Sequence, residues 1–219
     1  MANNKLKNNT ELKDNTELKD KLKDCGAIKF GDFELTSGKK SNYYIDVKKA
    51  TTKPQILELI CKYVIDIIND QNIMPDYIAS VELGAVPIGT LVSVRTGLPL
   101  IIVRKEQRSH GIKSRIIGDI EKTKTALLLE DTTTTGGSVI EAVNVLRNEG
   151  IFVTKVISVV DRDEGAECAL DKEGLSFTYL IRVNSLLEDN KFSHIDIDKD
   201  EMILKRIGGP RIGSYEVQE

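Results

Sequence analysis

Apolar residues in the second two-thirds of the chain fall into short runs separated by stretches of helical period. The runs are Tyr77 to Val81, Pro99 to Val103, Thr125 to Leu129, Lys155 to Val160 and Ser176 to Ile181. TALLL and KVISVV are apolar on both faces, as expected of strands covered on both sides in a parallel sheet. Helical patterns separate several of them: Pro87 to Arg95, Ser138 to Glu149 and Asp163 to Lys172. Upstream, Lys53-Pro54 opens an amphipathic helix whose apolar side is Ile56, Leu57, Ile60, Tyr63, Val64, Ile67 and Ile68. This alternation predicts βαβ units with right-handed crossovers, hence an α/β fold with an open parallel sheet flanked by helices. Ligands in such sheets sit at the carboxyl ends of the strands.

The N-terminal third follows other rules. NTELKD over Asn9 to Asp14 recurs without change over Asn15 to Asp20, a period that fits no helix. Residues 1–14 are expected to be a low-complexity, disordered tail. Leu18, Leu22 and Cys25 can share one helical face, so a short helix is expected from residue 15, ended by Gly26. Ala27 to Val47 reads as short strands around a Ser37-Gly38 turn. The chain thus divides into the tail, a main domain over 15–187 whose small N-terminal hood of strands and a helix reaches about residue 53, and a charged extension over 188–219.

Charge and composition narrow the partners. With 219 residues, 31 Lys+Arg and 34 Asp+Glu, the net charge is -3, which argues against a general nucleic-acid binder. No apolar run approaches a membrane span, and Met1 to Lys7 leads into no signal-like apolar region. Cys25, Cys61 and Cys168 are odd in number and far apart, so neither a disulfide framework nor a zinc site is expected, and the cytoplasm is the expected location.

Chemistry concentrates at the strand ends. In TALLLEDTTTTGGS (Thr125 to Ser138) a buried strand runs into Glu130 and Asp131, then four threonines and two glycines, then a helix. Gly136 and Gly137 allow a tight turn and close approach of the backbone. Helix-start N–H groups with Thr and Ser hydroxyls form a phosphate cradle. The paired carboxylates suit a ribose diol or a hydrated Mg²⁺ rather than the phosphate itself. Neither GxxxxGK[ST] nor a strand-following GxGxxG is present. After the Pro99 to Val103 strand, Arg104, Lys105, Arg108, Lys113 and Arg115 against Glu106 give a local charge of 5 - 1 = +4, with His110 among them as a possible proton carrier. The plainer reading is a solvated surface loop, but the position at a strand end favours a site for a polyanionic substrate. SVELGAVP (Ser80 to Pro87) is either a second anion nest or an ordinary strand-to-helix turn. Arg162 is positioned either to grip a carboxylate or to pair with its flanking acids, Asp161 and Asp163.

Taken together, LLLEDTTTTGGS, KFGDFELTSGKKSNYYID (Lys29 to Asp46), VRKEQRSHG (Val103 to Gly111) and Asp161-Arg162 resemble the orotate phosphoribosyltransferases of the type I phosphoribosyltransferase fold, over about Leu18 to Leu187. The resemblance implies transfer of the phosphoribosyl group of 5-phosphoribosyl-1-diphosphate (PRPP) to orotate in pyrimidine biosynthesis. It implies Mg²⁺ carried in by PRPP with no direct protein ligand, and a homodimer in which Arg104, Lys105, Arg108 and His110 reach the diphosphate from the neighbouring subunit. Glu130, Asp131, Thr132, Thr133, Thr134, Thr135, Gly136, Gly137 and Ser138 would hold the ribose and its 5′-phosphate; Thr134 and Arg162 would contact orotate. Arg108, His110 and Asp131 are the implied catalytic residues. The sequence departs from the family pattern at Arg108, where a lysine is usual, at Ser109, at Ile112-Lys113, and at Thr36 and Leu83, where some members carry lysine. Two competing expectations are a phosphoribosyltransferase for another base and a PRPP-sensing regulator. Arg162 and the Lys29 to Asp46 segment oppose the first, and the lack of room for a helix-turn-helix before Leu18 opposes the second.

Overall fold

The computed structural model describes residues 15–34, 40–106 and 114–185. The repeat-bearing tail, the Ser37-Gly38 turn and the 188–219 extension lie outside them. The fold described here belongs to the compact unit that ends at Val183.

The N-terminal helix α1 (Thr16–Asp24) buries Leu18 and Leu22 completely and stops at Gly26, whose φ of +67° favours glycine. At its start, the Asn15 side-chain amide donates to the Leu180 carbonyl at 2.5 Å. Strands β1 (Ile28–Glu34) and β2 (Lys40–Ile45) pair antiparallel, with an irregularity between Phe30 and Phe33, and form the expected hood. A five-residue helix, α2 (Val47–Thr51), follows; no sequence period announced it. Helix α3 (Pro54–Asp70) starts at the proline and buries Ile56, Ile60, Cys61, Val64, Ile67 and Ile68, while Leu57 and Tyr63 are half-buried.

The main sheet is built from β3 (Tyr77–Val81), β4 (Leu100–Val103), β5 (Ile116–Ile117), β6 (Thr125–Thr133), β7 (Phe152–Asp161) and β8 (Ser176–Arg182), in the order β5-β4-β3-β6-β7-β8. Helices α4 (Val86–Thr96), α5 (Gly137–Asn148) and α6 (Ala166–Lys172) make the crossovers. Five strands are mutually parallel, as the two-faced apolar runs require. The short β5 adds an edge strand that the sequence reading did not include, and it pairs antiparallel with β4. It lies in the basic run, where two isoleucines are too few to register as a strand. α6 also starts later than its pattern suggested, because Gly165 takes a left-handed conformation (φ +101°) before it.

The core between the sheet and α5/α6 is made by Ala79, Ile101, Leu128, Val156 and Phe177 from the strands, with Val143, Leu146 and Leu170 from the helices. Burying each of these side chains other than Ala79 contributes about 1.5–3 kcal/mol. On the opposite face α4 lies so close to β3 that a Cβ on Gly89 would stand 1.8 Å from Ser80 Oγ and 3.1 Å from Leu100 Cδ1. Gly89→Ala is therefore expected to destabilise the protein by about 1–3 kcal/mol through overpacking, read as a lower denaturant midpoint at unchanged slope. Among the described residues no helix is long and apolar enough to cross a membrane. Cys25, Cys61 and Cys168 are free thiols, and burial pushes Cys61 up to about 11.

Candidate active site

Strand β6 runs four residues further than its apolar run, so Glu130 and Asp131 belong to the strand itself. They are 6% and 9% exposed, at the carboxyl end of a central strand. Beyond Thr133 the chain bends through Thr134, Thr135 and Gly136, and α5 starts at Gly137. Gly136 has a φ of +86°, a conformation that strains any other residue, while a Cβ there would meet Ala166 and Leu170 only at ordinary contact distance. Lys105 and residues 130–139 surround a cavity of about 220 Å³ at this bend. Its lining carries two carboxylates, hydroxyls of Thr132, Thr133, Thr134, Thr135 and Ser138, and the exposed N–H end of α5. The Thr133 Oγ1 is buried without a hydrogen-bond partner, a donor held ready for an occupant.

The electrostatics are set by burial. Removal from water pushes the Glu130 carboxyl well above the usual carboxylate range, and the adjoining Asp131 adds to the rise, while Lys105 opposes it. The Asp131 N–H donates to Glu130 Oε1 at 3.0 Å. From the hood side, Lys48 Nζ on α2 lies 3.9 Å from Asp131 Oδ2 and 3.3 Å from Asp46. Below Asp131 sits the turn after β3: a Cβ on Gly84 would fall 2.1 Å from Asp131 Oδ2. The Ser80 to Pro87 segment thus supplies the seat of an acid, a role neither of its two sequence readings included.

Three other predicted groups take definite positions. Arg115 does not face the cavity: its guanidinium donates to the carbonyls of Arg104 and Lys105 and pairs with Glu141 at 2.7 Å, so this base is structural. Arg104 donates its N–H to the Arg115 carbonyl, completing a clasp at the base of the basic segment. Arg162 follows β7, with its N–H donating to the Thr133 carbonyl at 2.9 Å, which ties it to the cavity wall. Its guanidinium lies over the Tyr43 ring at 5.2 Å and pairs with Glu164 at 3.0 Å, yet its Nε is buried and unpaired. Asp161 pairs with Arg182 instead.

Residues 46–186 match the family model described as the phosphoribosyl transferase domain. The orotate phosphoribosyltransferase of Pyrococcus horikoshii is 47% identical over 176 residues, which cover 80% of this chain and 92% of that protein. The chain belongs to the orotate phosphoribosyltransferase family. Among solved structures, the orotate phosphoribosyltransferase of Aeropyrum pernix matches with a TM-score of 0.73 at 28% identity, covering 80% of this chain and 98% of that one. That of Mycobacterium tuberculosis in complex with PRPP matches at 0.65 and 28%, covering 78% and 96%. The fold is therefore the type I phosphoribosyltransferase fold.

Set against the family's pattern, Glu130 to Ser138 and Lys105 meet at one cavity, within a single chain. Arg108 and His110 lie outside the described residues. Tyr43 and Lys48 were missed by sequence reasoning. The Tyr43-Tyr44 pair and the Asp46-x-Lys48 spacing offered a signal only once the hood was known to face β6 and β7.

Proposed function

We propose that this cavity binds PRPP and that the enzyme passes its phosphoribosyl group to orotate, releasing orotidine 5′-monophosphate and diphosphate. The observation that carries the reading is a buried carboxylate pair ending β6 directly before a hydroxyl- and N–H-lined bend. One substrate with both a diol and a phosphate satisfies both halves. The 5′-phosphate is assigned to Thr132–Ser138, where α5 offers unpaired N–H groups. The ribose hydroxyls are assigned to Glu130 and Asp131.

Breaking the bond from C1′ to the diphosphate develops positive charge on the ribose ring and negative charge on the leaving group. Asp131 and Glu130, fixed at the strand end and almost wholly buried, stabilise the first. Arg104, Lys105, Arg108 and His110 are assigned to the second; Lys105 reaches it from the same chain's cavity wall, and we place Arg104, Arg108 and His110 across a homodimer interface, on the resemblance alone. The two adjacent hard carboxylates also suit the water shell of Mg²⁺ arriving on PRPP, with no direct protein ligand to the ion. When bound, it neutralises charge on the diphosphate. Thr134 and Arg162 are assigned to orotate; the unpaired Nε and the Tyr43 face leave Arg162 able to meet a planar carboxylate.

Orotate ultraviolet absorbance followed with PRPP and Mg²⁺, beside parallel assays with uracil and purine bases, tests the reading. Loss of orotate alone is expected. PRPP binding without any orotate loss would sink it, and Arg108→Lys would then locate the defect in the basic segment. Arg162→Ala is expected to raise KM for orotate about 10- to 100-fold, with the KM for PRPP little changed.

A further inference from the structure

The amino end of the sheet carries a charge that phosphoribosyl transfer does not use. Pairing between β6 and β7 shifts register at Thr154: Ala126 faces Val153, but Leu127 faces Lys155. The extra residue turns Lys155 away from the α5/α6 core that holds Val153 and Val156, a common use of bulges. Lys155 is 7% exposed, and its Nζ donates to Ser176 Oγ at 3.0 Å and Thr178 Oγ1 at 2.5 Å. Among the described residues no carboxylate pairs with it, and one of its three N–H donors remains. Burial lowers its pKa from 10.5 to about 8. A buried ammonium without a counter-charge is costly, and a methionine would fill the same volume without that cost.

Lys155 also lines a cavity of about 400 Å³ at the starts of β6, β7 and β8, closed on one side by residues 71–75 after α3. Its lining holds this one cation and no acid. Gln71, Asn72, Thr154 and Ser176 add amide and hydroxyl groups, and Leu127 gives it an apolar floor. Lys155 stands six residues before Asp161 on the same strand, roughly 20 Å from the carboxyl ends that form the active site.

We propose that this cavity is a second ligand site, in which Lys155 and the surrounding hydroxyl and amide groups bind the phosphate or carboxylate group of a small molecule. The occupant supplies the counter-charge the protein omits. The site stands whether or not orotate is the base acceptor, since it shares no residue with that cavity.

The test follows the Lys155 Nζ resonance of full-length, ¹⁵N-lysine-labelled protein across pH, without added anion, with inorganic phosphate and with acetate. The resonance is assigned by its loss in Lys155→Arg. In the proposed site an anion raises the titration midpoint of Lys155 by about one pH unit or more, equivalent to tenfold tighter binding to the charged amine. A shift with phosphate marks a phosphoryl ligand and a shift with acetate alone a carboxylate, and either supports the site. A midpoint that neither anion moves overturns it. Stability supplies a second readout. The lowered pKa means that the folded protein carries its penalty below pH 8 and loses it as pH rises toward 10.5. Lys155→Met is expected to melt higher than wild type at pH 7.5, with the gap closing over that window. Phosphate or acetate should also close the gap at pH 7.5; a gap indifferent to both counts against the site. Orotate turnover in Lys155→Met is expected to match wild type.

Discussion

Gly84→Ala lowers kcat/KM for PRPP by about 100-fold or more in a protein that still folds. The added methyl would overlap the Asp131 carboxylate, whose Oδ2 lies 2.1 Å from the new Cβ position and whose Cγ lies 2.2 Å from it. Asp131 is held in a strand between β3 and β7 and cannot retreat as a unit, so its side chain must rotate out of its seat. Displacement of a catalytic group by about 1 Å is enough for a loss of that size. Steady-state kinetics with PRPP varied, beside a thermal melt and far-ultraviolet circular dichroism, separate the effect from unfolding. A folded G84A enzyme with wild-type kcat/KM would show that the position of Asp131 does not matter to the reaction.

Glu130→Gln makes the protein more stable and less active. The folded pKa of Glu130 is raised above its unfolded value, so the stability it contributes is present below the unfolded pKa and is lost as pH rises through the folded one. Glutamine removes that loss. The melting temperature of the variant should therefore exceed wild type at neutral pH, and the difference should shrink as pH falls toward the ordinary carboxylate range. Activity moves the other way, with kcat/KM falling about 10²- to 10³-fold, the loss typical for removal of one preorganised electrostatic partner. Opposed changes in stability and rate mark a group kept for chemistry. A variant that loses stability and keeps its rate would make Glu130 structural.

The parts of this fold that could be read from the chain are those where one local pattern decides the structure. The parallel strands are apolar on both faces, and α3 keeps an unbroken period after a proline. β5 could not be read, because Ile116 and Ile117 form a strand only by leaning on β4. The end of β6 was placed too early because burial of two carboxylates contradicts the apolar rule, and the contradiction marks the site. The site was legible in the same degree. Glu130 to Ser138 are contiguous and announced themselves, whereas Tyr43 and Lys48 reach it from the hood, and Gly84 supports it from β3. Arg115 shows the converse error: charge counting placed it with the substrate-facing bases, while its guanidinium is spent on backbone carbonyls.

That clasp has a consequence for how the enzyme can change. Arg104 and Arg115 hold the two feet of the basic segment together, with Glu141 of α5 as an outside anchor. The clasp joins Lys105, at the cavity wall, to the edge strand β5 and to α5. A change at Arg115 therefore alters that wall from outside the cavity.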